Sequence, residues 1–141
     1  MDTRARRTLL EEQLTRSIIG AFYTVYNKLG YGILEHVYAA ALEIELKRRG
    51  HAVAREYTAS VYYDGIEIGH HRLDMVVDDR VVIENKARER LHDNFIQQLE
   101  SYLAATKFQV GLFLHYGRSA KFYRRIFENS LKKFPFDPSD H

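Results

Sequence analysis

The sequence predicts an α/β fold in which helices flank a central mixed sheet. Two stretches, 9–29 and 34–49, carry apolar residues at steps of three and four, the spacing of a helix with one buried face. Three stretches rich in β-branched and aromatic residues follow between residues 53 and 86. A third helical stretch then leads to a continuous apolar run at 110–114, which is typical of a strand covered on both faces. This order predicts helices packed against one sheet.

Glycines bound the first two helices. The stripe of the first helix consists of Leu14, Ile18, Phe22, Val25 and Leu29. Gly30 is predicted to end this helix, because glycine readily adopts the backbone conformation that follows a helix C-terminus. A second helix is predicted over 34–49 and ends at Gly50. Its stripe consists of Tyr38, Leu42 and Leu46.

The next region predicts a meander of three antiparallel strands. The first strand, 53–63, ends in Asp64-Gly65, a dipeptide typical of two-residue hairpins. The second strand covers 66–77 and the third covers 81–86, with a three-residue turn between them. A hairpin of this length pairs Val77 with Val81, Met75 with Ile83, and Asp74 with Glu84.

The rest of the chain predicts one more helix and one or two strands. Asp93 is a candidate N-cap for a helix over 94–106. Because a helical crossover returns the chain to the same sheet, the run 110–114 is predicted to lie parallel to its neighbour. Residues 122–127 would add a short last strand.

Length and composition indicate a single globular domain. The 141 residues suffice for one hydrophobic core, and 45% hydrophobic with 13% aromatic content is typical of globular chains. We predict one domain over 1–130 and a loose tail over 131–141, where both prolines lie. Because no apolar run approaches the roughly 18 residues that span a bilayer, and the N-terminus lacks a signal-peptide core, we expect no membrane partner and a cytoplasmic location.

Cysteine content and net charge exclude several classes of site and of protein. The chain has no cysteine, and therefore no disulfide, thiolate zinc site or nucleophilic thiol. Any metal site must use carboxylates, histidine, carbonyl groups and water. A net charge of +2 lacks the strongly basic footprint of a histone-like binder. Local basic clusters, such as Arg88 with Arg90, are compatible with phosphate contact without establishing it.

Charged residues interrupt the second and third strands. Asp74, Glu84 and Lys86 are predicted to project from one side, and the apolar side consists of Leu73, Met75, Val77, Val81 and Ile83. Two adjacent carboxylates repel each other unless a cation lies between them or one stays protonated. Mg2+ or Mn2+ would relieve this repulsion, because these ions take oxygen ligands from carboxylates, waters and phosphates. The alternative is a solvated ladder of charges that includes Arg72.

A third carboxylate, Glu35, lies in the first turn of the second helix, on the face of Tyr38 and Leu42. A carboxylate on the packing side of a helix is destabilising unless it is paired. Glu35 is therefore a candidate member of the same site. The helix dipole would offset part of the cost, and a capping role is the alternative.

The order of these motifs resembles a known family. Gly32-Ile33-Leu34-Glu35-His36-Val37-Tyr38 is followed by Arg72-Leu73-Asp74 and by Glu84-Asn85-Lys86. Over residues 18–127 this set is similar to that of GxxExxY proteins, a branch of the PD-(D/E)XK nuclease-like superfamily. The resemblance implies a restriction-endonuclease-like core and a site for metal-dependent hydrolysis of phosphodiesters. The proline that names the superfamily is absent, since Leu73 precedes Asp74.

The resemblance also implies roles for five residues. Asp74 corresponds to the metal-binding aspartate, Glu84 to the second acid and Lys86 to the motif lysine. Glu35 corresponds to the helix glutamate and Gln98 to a glutamine on the following helix. Asp74, Glu84 and Glu35 would hold Mg2+ or Mn2+. Lys86 would orient or deprotonate the attacking water or stabilise negative charge, and Gln98 would fix a water or a phosphate oxygen.

Two classes of function remain open at this point. The first is an enzyme, a metal-dependent nuclease that acts on DNA, with RNA as the alternative substrate, and cuts either internally or from an end. The second is a catalytically silent module that binds nucleic acid or protein through the same fold. The aromatic-rich strand 56–63 is also a candidate edge for pairing with a second copy in a homodimer.

Overall fold

The computed structural model describes residues 10–133. The helices are α1 (Glu12–Leu29), α2 (Glu35–Arg48) and α3 (Asp93–Ala105). The strands are β1 (Val53–Tyr63), β2 (Ile66–Val77), β3 (Val81–Lys86), β4 (Val110–Tyr116) and β5 (Ala120–Ile126), followed by a short 3-10 helix, Asn129–Leu131. The order of helix, helix, three strands, helix and two strands confirms the predicted α/β architecture.

Five of the six predicted helix ends are confirmed within one residue, whereas the first helix was predicted from residue 9 and begins at Glu12. Gly30 is the C-cap of α1, with a φ of 75°, and its N–H donates to the Tyr26 carbonyl at 2.7 Å. Asp93 was predicted as the N-cap of α3, but it is the first helical residue, and His92 occupies the N-cap position. In the first turn the Asp93 carboxylate still interacts favourably with the helix dipole.

The sheet is mixed, with the strand order β1-β2-β3-β4-β5. The pairs β1–β2, β2–β3 and β4–β5 are antiparallel, and β3–β4 is parallel after the crossover through α3. The turn between β1 and β2 has positive φ at both Asp64 and Gly65, as a type I′ turn requires. The predicted pairs Val77–Val81 and Met75–Ile83 are confirmed.

Helices cover both faces of the sheet. On one face α1 and α2 bury Ile83 and Leu112. On the other face Leu99 of α3 packs with Val82 and Phe113. Because successive strand residues point to opposite faces, neighbours such as Val82 and Ile83 belong to different clusters. The centre of the sheet is therefore buried on both sides.

The predicted alternation of β2 is wrong at one point. Met75 packs in the cluster under α1 and α2, whereas Leu73 packs in the cluster under α3. The two residues were predicted to share one apolar face. In the neighbouring strand Glu56 has a φ of 52°, which is uncommon for a residue other than glycine. We attribute the break at Asp74 to this local distortion, which coincides with the point where β2 leaves β3.

A polar cluster joins α1 to the turn between β2 and β3. His51 Nε2 lies 2.7 Å from Ser17 Oγ, and His51 Nδ1 lies 2.8 Å from Asp78 Oδ2. Burial acts to raise the pKa of Asp78, but hydrogen bonds from Ala52 and His51 leave it lowered. The trio resembles a hydrolase triad, yet Ser17 lies in the middle of α1, where its N–H is used by the helix and does not form an oxyanion hole. The cluster therefore has a structural role, which is to connect α1 to the turn between β2 and β3.

The β1–β2 ribbon extends well beyond β3, because only residues 75–77 of β2 pair with β3. The tip of this ribbon exposes Tyr63, Ile66 and Ile68. β1 lies at the edge of the sheet, where the sequence predicted pairing with a second copy. The homodimer stays a prediction.

After β5 the chain returns to the end of α3. The Lys132 ammonium donates to the carbonyl groups of Thr106 and Phe108 at 2.7 and 2.6 Å. Most of the predicted loose tail, from residue 134 to 141, lies outside the described residues, and the division at residue 130 stays a prediction. Within residues 10–133, none of the helices combines the length and the apolar character that crossing a bilayer requires.

Candidate active site

The candidate site lies where β2 and β3 separate. Their backbone ladder ends at Met75–Ile83, and beyond it side chains take over as hydrogen-bond partners. The Asp74 N–H donates to Glu84 Oε1 at 3.4 Å, and the Asn85 N–H donates to Asp74 Oδ2 at 3.2 Å. Each carboxylate thus accepts a backbone hydrogen bond from the opposite strand. This reciprocal arrangement brings the predicted pair of acids together.

Glu84 is a buried carboxylate, 8% exposed. Burial raises the pKa of Glu84 to about 7, and the negative charges of Asp74 and Glu35 act in the same direction. The Asp74 N–H and the Lys86 ammonium oppose this shift. Near neutral pH Glu84 is therefore poised between its protonated and charged forms, and a bound cation would favour the charged form.

Asn85 connects Asp74 to the hydrophobic core. Its Nδ2 donates to Asp74 Oδ2 at 2.6 Å, and its Oδ1 accepts a hydrogen bond from the Tyr116 hydroxyl at 2.8 Å. Asn85 and Tyr116 are both 2% exposed. Burial first, and then the charge of Asp74, raise the pKa of Tyr116 well above that of a free tyrosine, so its hydroxyl remains a donor. Two buried side chains thus hold the Asp74 carboxylate in place.

Glu35 approaches the same region from α2. It is the first residue of the helix and is exposed, because it lies beyond the edge of the core; the sequence predicted the packing face instead. Its Oε1 accepts a hydrogen bond from the Ala87 N–H at 3.2 Å, and its charge contributes to the raised pKa of Glu84. Glu35 therefore joins α2 to the end of β3 rather than capping its own helix.

Tyr38 holds the loop that precedes α2. Its hydroxyl donates to the Gly30 carbonyl and accepts a hydrogen bond from the Ile33 N–H at 3.2 Å. Its ring stacks on Tyr116 with a centroid distance of 4.2 Å. The tyrosine of the Gly-x-x-Glu-x-x-Tyr motif thus fixes the loop that leads to Glu35 against the residue that supports Asn85.

Tyr38→Phe should lower the free energy of unfolding by about 1–3 kcal/mol, because the variant keeps the stacked ring but removes both hydrogen bonds of the hydroxyl. Urea denaturation measures this change. Tyr63→Phe is the matched control, since Tyr63 is 64% exposed, and we expect it to stay within about 0.5 kcal/mol of the wild type. Equal stability of Tyr38→Phe and the wild type would contradict the role assigned to the hydroxyl.

Lys86 ends β3 on the side of the sheet that α3 covers. Its Nζ lies 5.3 Å from the centre of the Phe95 ring, and the Arg88 guanidinium lies 5.6 Å from the same ring. Contacts of this kind attract cations to the aromatic face. Phe95 of α3 therefore contacts two positive groups, and one of them, Lys86, lies close enough to Glu84 to lower its pKa.

Gln98 is linked to the site only through a neighbour. It is exposed on α3, and its side chain hydrogen-bonds the Tyr102 hydroxyl. Burial and then the charge of Glu84 raise the pKa of Tyr102, while the bond to Gln98 lowers it. Gln98 thus contacts Tyr102, and Tyr102 in turn lies close enough to Glu84 to be influenced by its charge. Its role in fixing a water or a phosphate oxygen stays a prediction.

The donor set fits a hard divalent cation in part. Within residues 10–133, no three His, Asp or Glu side chains already form a group that could hold a metal ion. Asp74 and Glu84 nevertheless offer two carboxylates that share one location, and one of them is a buried acid whose charged form needs a counterion. Mg2+ commonly takes one or two carboxylates together with waters and substrate phosphate. Glu35 as a third ligand stays a prediction.

A cleft of about 400 Å³ opens beside Glu35. The loop before α2 forms one wall, with Tyr31 and Leu34, and the residues just after β3 form the other, with Arg88. Tyr116 lines the same cleft. A volume of this size accommodates a small ligand or one group of a larger one.

Three residues of the site were missed by sequence reasoning. Asn85 stood between two assigned residues, but no pattern showed that its side chain faces Asp74. Tyr116 and Phe95 come from other elements, β4 and α3, and meet the site only through the fold. The one available signal was an amide inside an apolar strand, because a buried amide requires hydrogen-bond partners.

The fold agrees with a comparison against known families. Residues 12–126, from the start of α1 to the end of β5, match the model of the PD-(D/E)XK nuclease superfamily. A search of curated proteins and a search of solved structures gave no match. The five-stranded mixed sheet flanked by helices is consistent with a restriction-endonuclease-like core. The chain belongs to the PD-(D/E)XK nuclease superfamily.

Proposed function

We propose that the protein is a Mg2+- or Mn2+-dependent nuclease of the GxxExxY branch, which hydrolyses phosphodiester bonds of DNA in preference to RNA. One observation carries the proposal: the reciprocal pair Asp74 and Glu84 lies beside the Lys86 ammonium. This combination places two carboxylates that can bind a metal ion, and one ammonium group, where a phosphate could bind. Membership of the superfamily supports nuclease-like chemistry and a divalent metal.

Asp74 and Glu84 would hold the ion, with Glu35 as a third carboxylate. When bound, Mg2+ or Mn2+ supplies charge neutralisation at the phosphate and a more acidic water. The chain contributes the orientation of the ligands. Asn85 fixes one oxygen of Asp74, while the Asp74 N–H fixes one oxygen of Glu84. Glu84 would bind in its charged form, so ion binding would be coupled to loss of its proton.

Lys86 would act on the phosphate or on the attacking water. An ammonium group beside the scissile phosphate stabilises the negative charge that develops on its oxygens, and a lysine can also orient the water. The contact with Phe95 limits the positions that the Lys86 ammonium can take. Gln98 would fix a water or a phosphate oxygen from α3.

A cleavage assay tests the proposal. Purified protein is incubated with supercoiled plasmid, circular single-stranded DNA or RNA, each with Mg2+, Mn2+ or EDTA. We expect cleavage of DNA with either metal and none with EDTA. Asp74→Asn should cleave DNA at least about 100-fold more slowly than the wild type. Asp74→Asn removes the charge but keeps an oxygen that can accept from Asn85, so the fold should persist.

Glu67→Gln is the control, because Glu67 is exposed on β2 far along the ribbon. It should cleave like the wild type. Equal rates for Asp74→Asn and the wild type would contradict the proposed site, and cleavage of RNA alone would correct the substrate. Metal binding in calorimetry without cleavage would favour the second function, a catalytically silent binding module. Residues 10–133 contain no preformed group of three metal-ligating side chains, and this observation is compatible with such a module.

A further inference from the structure

The cleft beside Glu35 contains an exposed aromatic ring that the proposed metal chemistry does not use. Tyr31 lies in the loop before α2 and is 48% exposed. Its neighbours Gly30 and Gly32 both have positive φ, 75° and 93°, so the backbone changes direction on either side of Tyr31. Leu34, at the same wall of the cleft, is 67% exposed. The loop thus presents apolar surface to solvent next to a candidate catalytic carboxylate.

This surface is held rigidly. The Tyr38 hydroxyl bonds the loop on both sides of Tyr31, through the Gly30 carbonyl and the Ile33 N–H. Tyr38 itself is fully buried and stacked on Tyr116. An exposed ring on a preorganised loop loses little conformational freedom on binding a ligand. The ring is therefore suited to recognition.

One cation lies against the same ring, and a second cation lines the cleft. The Arg118 guanidinium lies 6.0 Å from the centre of the Tyr31 ring and pairs with Glu89 at 2.8 Å. Arg88 lines the cleft from the opposite wall. An aromatic face with adjacent arginines is the combination that binds single-stranded nucleic acid, because the ring stacks on a base and the cations contact phosphates.

Resting on the proposed function, we infer that this cleft binds one unstacked nucleotide of a single strand beside the scissile phosphate, with its base on Tyr31. A base inside a duplex has both faces covered by its neighbours, so it reaches the ring only when it is unpaired. A cleft of about 400 Å³ has room for a single group of this kind and not for a double helix. The substrate class is therefore single-stranded DNA, a flap or a frayed end.

The test measures binding without cleavage. Fluorescence anisotropy of a labelled 12-nucleotide single strand, and of the same strand in a duplex, is recorded in EDTA for the wild type, Tyr31→Ala and Tyr31→Phe. We expect Tyr31→Ala to bind the single strand about tenfold more weakly and the duplex unchanged. Tyr31→Phe keeps the ring and should bind like the wild type. Tyr63→Ala, at an exposed tyrosine on the ribbon tip, is the control and should also bind like the wild type.

Each outcome decides the inference. Wild-type affinity of Tyr31→Ala for the single strand would overturn it, and so would an equal loss for single strand and duplex, which would indicate a general effect on charge or folding. The proposed function fails separately, if the wild type cuts no substrate with Mg2+ or Mn2+. Selective loss in Tyr31→Ala would still support the nucleotide site in that case.

Discussion

Glu84→Gln should stabilise the metal-free protein by about 3 kcal/mol at pH 8 and by less than about 1 kcal/mol at pH 5. Burial raises the pKa of Glu84 from 4.5 to about 7 in the folded state. The folded state therefore binds this proton more tightly than the unfolded state does. The stability contributed by Glu84 is full below pH 4.5, falls as the pH rises from about 4.5 to 7, and is lost above pH 7.

The size of this effect follows from the shift, since each pKa unit corresponds to about 1.4 kcal/mol. Glutamine keeps an oxygen that can accept from the Asp74 N–H but carries no charge. Urea denaturation in EDTA at the two pH values measures the difference, with the exposed Glu67→Gln as the control. Mg2+ should raise the stability of the wild type at pH 8 far more than that of Glu84→Gln. A variant less stable than the wild type at pH 8 would show that the charge of Glu84 is compensated without metal.

Lys86→Ala should lower kcat for DNA cleavage by about 100-fold or more and leave the affinity for Mg2+ close to that of the wild type. The ammonium is assigned to the phosphate or the water, and its loss removes stabilisation that acts in the transition state. Single-turnover cleavage with saturating metal gives the rate, and calorimetry gives the affinity. Lys121→Ala, at an exposed lysine on β5, is the matched control and should keep full activity.

Lys86→Arg separates the two roles of the lysine. A guanidinium can stabilise negative charge but does not lose its proton in proteins, so it replaces an electrostatic group and not a base. Partial rescue by Lys86→Arg would assign Lys86 to charge stabilisation. No rescue, with a retained fold, would assign it to deprotonation of the water, because a guanidinium can still orient a water through its N–H groups. Cleavage by Lys86→Ala at the wild-type rate would remove Lys86 from the site.

Local patterns predicted the elements well. The Asp64-Gly65 turn set the register of the nearest β1–β2 pairs, Tyr63–Ile66 and Tyr62–Glu67, and the three-residue turn set that of β2 and β3, because hairpin length determines which residues face each other. Beyond Tyr62 the β1–β2 register shifts by one residue at an irregularity that the sequence did not predict. β4 was predicted to end at Leu114 but continues to Tyr116. The apolar run stops earlier than the strand, since His115 is buried despite its polarity.

The site was only partly accessible to the same reasoning. The meeting of Asp74 and Glu84 followed from hairpin register, but the ladder was expected to continue through this pair. The separation of the strands coincides with a distorted backbone at Glu56 in the neighbouring strand, which no residue type signals. The support from Tyr116 depends on the parallel pairing of β3 with β4 and joins residues 31 positions apart in the chain. Sequence periodicity describes neighbours along the chain and carries no information on such contacts.

The parallel β3–β4 pairing has a consequence for the order in which the protein folds. The two acids are ten residues apart on one hairpin, and closing so short a loop is fast and costs little chain entropy. Tyr116 reaches Asn85 only after the whole crossover through α3 has wrapped back onto the sheet. We expect Asp74 and Glu84 to come together early in folding and to gain their support from Asn85 and Tyr116 late, so that the candidate site reaches its final geometry in the last stage of folding.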